Sequence, residues 1–145
     1  MREAVAELWA LHAAGAVVAV TTSGAVGRGG RAQVGRGLAR QAAERFPWFA
    51  PRLGELLRAG GPRVELVGER IVAFPVEPDP WQNPEPRLIA RSADELAALA
   101  TAQGWGEVVL PRPGCGGGGL TWREVGPLLA PRLDDRFLVV RWPGP

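Results

Sequence analysis

Short apolar runs rich in β-branched residues recur along the chain and alternate with stretches whose apolar positions return every three or four residues. The clearest run, AVVAVTT, lies between Gly15 and Gly24 and predicts a buried strand. Two further runs flank Gly68 and Glu69 and predict a hairpin, and two more occur near the end of the chain. The predicted strands are 16–22, 63–67, 71–76, 107–110 and 136–142.

The predicted helices follow from residue spacing and from capping residues. Leu38, Ala42 and Phe46 are spaced by four, as on one face of a helix. Ser92 and Thr121 are each followed by glutamate three residues later, which is the capping-box pattern, so both are predicted N-caps. The predicted helices are 35–46, 49–58, 92–103 and 121–130.

This order of elements predicts a three-layer α/β/α domain with a mixed, mostly parallel central sheet. The length suits one domain over residues 1–145. Ligands of such sheets bind beyond the carboxyl ends of the strands. The proline-rich loop 75–86 carries Trp81, which we expect at the rim of a ligand site because loops often hold functional residues.

Composition excludes several kinds of chemistry. All 17 basic residues are arginine, so a Walker-type phosphate loop, a Schiff base and a lysine general base are excluded. One cysteine, Cys115, and one histidine, His12, permit neither an internal disulfide nor a structural zinc site, and no metal is expected. No apolar run reaches the ~20 residues of a membrane span and no secretory leader is recognisable, so we expect a soluble, cytoplasmic monomer without membrane contact.

The charge pattern favours an anionic ligand in the first half of the chain. No acidic residue occurs between Glu7 and Glu44, while four arginines do: Arg28, Arg31, Arg36 and Arg40. The local field there should favour a negative ligand. A solvated basic face is the alternative interpretation.

A strand, a glycine-rich loop and a helix follow one another twice, as VAVTTSGAVGRGGRAQVGRGLARQ and as VVLPRPGCGGGGLTWREV. Glycine lets the backbone approach a phosphate closely, and N–H groups at a helix start donate to it, so the two loops suit one diphosphate. Tight turns are the simpler explanation for either loop alone. A Rossmann fingerprint at Gly27, Gly29 and Ala32 is disfavoured because it begins five residues after the strand.

The two loops and their surroundings resemble the macrodomains, the ADP-ribose-binding α/β fold. The resemblance covers nearly the whole chain: TTSG with VGRGLARQAAERFP matches the first ligand loop, IVAFPV the central strand, LIARSADEL a middle helix, and LPRPGCGGGGLTW with LDDRF the second loop and last strand. The nearest branch contains ADP-ribosyl glycohydrolases and the antitoxin macrodomains that remove ADP-ribose from nucleic acid bases. The resemblance implies ADP-ribose, or an ADP-ribosylated macromolecule, as the partner and no cofactor.

The resemblance also implies residue roles. Gly35, Arg36 and Gly37 would hold the diphosphate through their backbone, and Glu7 stands where the family has the Asp that accepts from the adenine amino group. Thr22 and Ser23 would face the distal ribose, although the family commonly has Asn at the second position. The second loop would wrap the phosphate and distal ribose with Cys115, Gly116, Gly117, Gly118 and Gly119.

Two positions depart from the glycohydrolase branch. Its catalytic Lys corresponds to Glu77 and its catalytic Asp to Gly118, so a lysine mechanism cannot operate. Glu77 is the candidate catalytic residue, as a general base for water. Asp134 and Asp135 are interpreted as capping or salt-bridging residues, and Cys115 as structural because no base for a thiol nucleophile is evident.

We therefore expect ADP-ribose binding through the two glycine loops. The first alternative is an ADP-ribosyl hydrolase that releases ADP-ribose from modified nucleic acid or protein without lysine. The second is an arginine-rich nucleic-acid-binding module, which is weaker because exposed aromatic residues are not interleaved with the arginines.

Overall fold

The computed structural model describes residues 1–79, 82–117 and 119–143. Within these ranges the chain forms six strands, five α-helices and one 3₁₀ turn at Arg28–Gly30. The strands are β1 (Arg2–Val5), β2 (Val17–Ser23), β3 (Glu65–Gly68), β4 (Ile71–Glu77), β5 (Val108–Pro111) and β6 (Phe137–Arg141). The helices are α1 (Leu8–Ala13), α2 (Leu38–Arg45), α3 (Phe49–Gly60), α4 (Pro86–Gln103) and α5 (Trp122–Leu129).

The strands form one sheet in the order β1-β6-β5-β2-β4-β3. The edge strand β3 runs antiparallel to its neighbour, β4, and the other four strand pairs are parallel. The carboxyl ends of β2, β4, β5 and β6 therefore meet at one edge of the sheet. This confirms the predicted mixed, mostly parallel sheet and fixes the edge where ligand loops begin.

Both faces of the sheet are covered by helices. Successive side chains of a strand point to opposite faces, so Val17 and Ala19 pack with α4 and α5, while Val18 and Val20 pack with α1, α2 and α3. Hydrophobic burial on both faces explains why β2 is a nearly continuous apolar run. The predicted three-layer α/β/α architecture is confirmed.

The predicted N-cap at Ser92 is wrong. Helix α4 begins at Pro86, whose fixed φ suits the first helical turn, so Ser92 lies inside the helix. Its fully buried hydroxyl donates to the carbonyl oxygen of Pro75 at 2.7 Å. Glu95, the other half of the apparent capping box, accepts from the backbone N–H of Val64 at 3.0 Å. Both side chains thus tie α4 to the neighbouring layers.

The predicted cap at Thr121 is confirmed. Its hydroxyl accepts from the backbone N–H of Glu124 at 3.3 Å, and the Glu124 carboxylate accepts in return from the Thr121 backbone at 3.4 Å. This reciprocal pair satisfies two N–H groups at the start of α5. It fixes the point where the second glycine loop enters its helix.

Candidate functional site

The carboxyl ends of β2, β4 and β5 and the loops that follow them enclose a cavity of about 610 Å³. This volume lies in the usual range for small-molecule and cofactor sites. The strand ends contribute Thr22, Ser23, Glu77 and Pro111 to its lining. Both glycine-rich loops contribute as well, which places the two loops around one space.

The first loop approaches the cavity through two glycines in left-handed backbone conformation. Gly35 has φ +56° and Gly37 has φ +81°, and they flank Arg36. Helix α2 begins immediately afterwards at Leu38, and among the described residues no side chain caps its first turn. The unpaired N–H groups of that turn, together with the partial positive charge of the helix start, therefore suit an anion.

The second loop closes on itself above β5. The backbone N–H of Leu120 donates to the carbonyl oxygen of Gly114 at 3.2 Å, and Gly114 has φ +76°. Gly116 and Gly117 between them are exposed and line the cavity. A side chain on Gly116 would meet no atom within 4 Å, so the space in front of its backbone is open.

Arg36 reaches across the cavity from the first loop to the second. Its guanidinium Nη2 donates to the carbonyl oxygen of Gly117 at 3.5 Å. A long contact of this kind to an exposed carbonyl is weak, so a better acceptor can replace it. The positively charged guanidinium of Arg36 therefore lies in the cavity, between the two glycine-rich loops.

Glu77 and Ser23 lie side by side at the ends of β4 and β2, as paired residues of the sheet. Partial burial raises the pKa of the Glu77 carboxyl, and the charge of Asp79 adds to this rise, whereas the charge of Arg36 opposes it. The Ser23 hydroxyl is buried and lies 3.5 Å from the carbonyl oxygen of Gln33, to which it donates. A carboxyl with a raised pKa in a polar cavity is suited to proton transfer.

A second cavity of about 330 Å³ adjoins the first. Its lining is mainly apolar, with Leu8, Leu120 and Val140 among the contributing side chains. Trp142 is 44% exposed and lines both cavities, so it stands at their common rim. A flat apolar group attached to an anionic group could occupy the two spaces together.

The chain is similar to proteins of known structure over nearly its whole length. No protein-family model and no curated protein matches it. Among solved structures, the macrodomain of Thermus aquaticus DarG superposes with a TM-score of 0.75 at 20% identity, covering 98% of this chain and 97% of that one. The macrodomain of Mycobacterium tuberculosis DarG gives 0.76 at 20% identity, covering 99% and 97%.

The chain has the macrodomain fold. A third structure, Thermosipho africanus DarTG in complex with ADP-ribose, matches 99% of this chain and 42% of its own length, with a TM-score of 0.73 at 18% identity. The fold implied by the sequence resemblance is therefore confirmed.

On this macrodomain fold, eight of the twelve predicted site residues line the larger cavity: Thr22, Ser23, Gly35, Arg36, Gly37, Glu77, Gly116 and Gly117. Cys115 lines the smaller cavity. Glu7 and Gly119 are absent from the described lining of either cavity, although Glu7 directly precedes the lining residue Leu8. Gly118 and Trp81 lie outside the described residues.

Four described residues that line both cavities were not predicted as site residues: Leu38, Pro111, Arg112 and Trp142. Two of them, Arg112 and Trp142, carry a charged and an aromatic side chain. Arg112 directly follows Pro111, the last residue of β5, and Trp142 directly follows Arg141, the last residue of β6. Position after a strand was the available signal. It was not used because neither residue is a glycine or part of a glycine run.

Cys115 and Asp134 behave as structural residues. Burial raises the pKa of the Cys115 thiol, which keeps it protonated, and its Sγ donates to the carbonyl oxygen of Pro113 at 3.5 Å. Asp134 accepts from the Arg136 backbone N–H at 3.0 Å and from its Nε at 2.9 Å, and these bonds lower the pKa of the carboxyl. Of the two predicted alternatives, capping or salt-bridging, the salt bridge of Asp134 is confirmed.

Two features are absent from residues 1–79, 82–117 and 119–143, the part of the chain that the structure describes. No group of three His, Cys, Asp or Glu side chains is placed to hold a metal ion. Helices of the length and apolar character required to cross a bilayer were also not found.

Proposed function

We propose that this chain binds ADP-ribose or ADP-ribosyl groups in the two adjoining cavities. The observation that carries the proposal is the meeting of both glycine loops around one cavity, with Arg36 reaching from one loop to the other. Backbone N–H groups of open glycine loops and a helix start are the donors that a diphosphate requires. The fold is that of macrodomains, and Thermosipho africanus DarTG, in complex with ADP-ribose, shares this fold over 42% of its length.

The chemistry of the two cavities suggests how the ligand lies. The smaller, apolar cavity suits the flat adenine base, with Trp142 at its rim. The diphosphate then lies between the two glycine loops, and the distal ribose extends toward Thr22, Ser23 and Glu77 in the larger cavity. Glu7 precedes Leu8, which lines the smaller cavity, and its carboxylate would have to reach the base from this place at the start of α1.

Calorimetric titration with ADP-ribose, AMP and single-stranded DNA tests this proposal. ADP-ribose should bind at least about tenfold more tightly than AMP, because only the longer ligand reaches both loops with a complete diphosphate. Equal affinities for the two nucleotides would contradict the two-loop site. DNA binding with no ADP-ribose binding would favour the arginine-rich nucleic-acid-binding module instead.

Hydrolysis of an ADP-ribosyl bond is a second candidate function, and Glu77 is the observation that favours it. Its carboxyl lines the cavity beside Ser23 and has a raised pKa. In this reaction water attacks the anomeric carbon of the distal ribose and gives its proton to Glu77, while the bond to the modified group breaks and that group takes up a proton. The substrate would be an ADP-ribosylated nucleic acid or protein.

A further inference from the structure

The boundary between the two cavities has its own set of side chains. Five described residues line both cavities: Leu38, Pro111, Arg112, Gly116 and Trp142. Within this described set, Arg112 is the one charged residue. A ligand with its base in the smaller cavity and its distal ribose in the larger one must pass its diphosphate across this boundary.

Arg112 is held in place from two sides. Its guanidinium carbon lies 4.8 Å from the ring centroid of Trp122, at the start of α5. Its Nη2 lies 3.5 Å from a carboxylate oxygen of Glu3, on β1. The same Glu3 oxygen accepts from the indole N–H of Trp122 at 3.1 Å. The three side chains therefore form one cluster that fixes the guanidinium before any ligand arrives.

This fixed guanidinium keeps donors available. A guanidinium has five N–H donors in a planar fork that matches phosphate oxygens, and the Glu3 contact uses only part of that capacity. The Arg112 side chain is 30% exposed, so it is neither sealed in the core nor free in solvent. Prior fixation reduces the entropy lost when a ligand binds, which distinguishes Arg112 from a mobile surface arginine.

We propose that Arg112 binds the diphosphate of the ligand at the boundary of the two cavities, with Glu3 and Trp122 as its positioning residues. This assignment rests on the proposed ADP-ribose site and adds a second cationic side chain, besides Arg36, to the backbone donors of the diphosphate. Arg36 approaches from the larger cavity and Arg112 from the boundary, so the diphosphate meets a cation from each glycine loop's side.

Titration of three ligands against Arg112→Gln tests the assignment. ADP-ribose and ADP should each bind at least about tenfold more weakly than to wild type, since a charge-assisted hydrogen bond to phosphate is lost. Adenosine, which has no phosphate, should bind both proteins equally. Arg123→Gln is the matched control, because it removes the same charge one residue from Trp122 on an exposed side chain outside both described linings.

The outcomes separate this inference from the proposed function. Equal ADP-ribose affinity in Arg112→Gln and wild type overturns the role of Arg112 and leaves the site in place. A loss of the same factor for adenosine as for ADP-ribose also overturns it, because a purely structural role would act on every ligand. If wild type binds no ADP-ribose, the proposed function fails and this assignment fails with it.

A measurement on the wild type avoids any folding defect of the variant. The Arg112 Nε resonance, assigned by its loss in Arg112→Lys, can be followed in a nitrogen-15 spectrum. It should shift on addition of ADP or ADP-ribose and stay in place with adenosine. A resonance that does not respond to ADP overturns the proposal.

Discussion

Gly24 and Gly54 are packed against backbone, whereas Gly35, Gly37 and Gly116 at the site face open space. A Cβ on Gly54 would overlap the carbonyl oxygen of Gly30, and a Cβ on Gly24 would overlap that of Pro78. At the three site glycines a Cβ would meet no atom within 4 Å. Close packing therefore requires glycine at positions 24 and 54. No packing contact within the described residues requires glycine at positions 35, 37 and 116.

The difference teaches how to separate a fold effect from a ligand effect. A substitution at Gly54 forces helix α3 away from the loop at Arg28–Gly30, and one at Gly24 forces its loop away from Pro78, so both act on stability. At an open site glycine the added atoms enter the cavity. Substitution of a packed glycine should therefore lower stability, whereas substitution of an open site glycine without positive φ, such as Gly116, should lower ADP-ribose affinity alone.

Gly54→Ala should produce the largest effect. The new Cβ would overlap the Gly30 carbonyl and lie 2.9 Å from the Ala32 nitrogen, both rigid backbone atoms. Overpacking of this kind costs about 1–3 kcal/mol of unfolding free energy or more. Thermal unfolding measures it. Gly60→Ala, in the same helix with 3.9 Å to its nearest neighbour, is the control and should leave stability unchanged or slightly raised. Equal stability of both variants would contradict the packing argument.

Gly37→Ala should lower both stability and affinity. Gly37 has φ +81° and ψ −147°, a region that L-residues rarely adopt, so strain of about 1–3 kcal/mol is expected. The strained loop would shift away from the ligand, and ADP-ribose affinity should fall.

Gly61→Ala is the matched control for this prediction. Gly61 has a similar backbone, with φ +73° and ψ −171°, but caps α3 and is absent from both described cavity linings. The two variants should lose similar stability in chemical denaturation, while only Gly37→Ala should lose affinity. A comparable loss of affinity in both would show that strain alone, and not the loop's position, weakens binding.

Much of the fold could be predicted because periodicity encodes it. The buried run of β2 and the spacing of Leu38 and Ala42 reflect burial directly. Strand β1 escaped prediction because all four of its residues are exposed at the edge of the sheet and show no apolar alternation. The predicted N-cap at Ser92 was wrong because its hydroxyl donates to a distant acceptor, the Pro75 carbonyl oxygen, and does not cap a helix start.

The part of the candidate site that could be predicted from the sequence is the part whose lining is glycine backbone. Glycine runs after strands indicated both loops before the structure placed them together. The proposed role of Arg112 could not be predicted, because the position of its guanidinium depends on Glu3 and Trp122, which are 119 positions apart in the sequence. No local pattern connects residues at that separation.

Glu77→Gln should separate chemistry from binding, with the smallest structural effect. Affinity for ADP-ribose should be retained, because the glycine loops are untouched. Any release of ADP-ribose from a modified substrate should fall by at least about tenfold, the low side of general-base contributions. Product release is measured by chromatography. Glu85→Gln, an exposed residue outside both described linings, is the control.

The pH profile gives a second readout for Glu77. A general base must be deprotonated, so wild-type turnover should rise with pH and then level off. Because burial raises the Glu77 pKa, the rise should be centred above the ordinary glutamate value. Unchanged turnover in Glu77→Gln would remove Glu77 from the mechanism, and a wild type without turnover would leave ADP-ribose binding as the function.

The most direct test of the central claim compares two open glycines by ADP-ribose titration. Gly116 and Gly106 both have φ outside the left-handed region and no atom within 4 Å of an added Cβ, but only Gly116 is among the described cavity-lining residues. Leucine at either position should leave thermal stability nearly unchanged. We predict that Gly116→Leu weakens ADP-ribose binding by at least about tenfold while Gly106→Leu binds as wild type does. Equal affinity in all three proteins would contradict a ligand site formed by the two glycine loops.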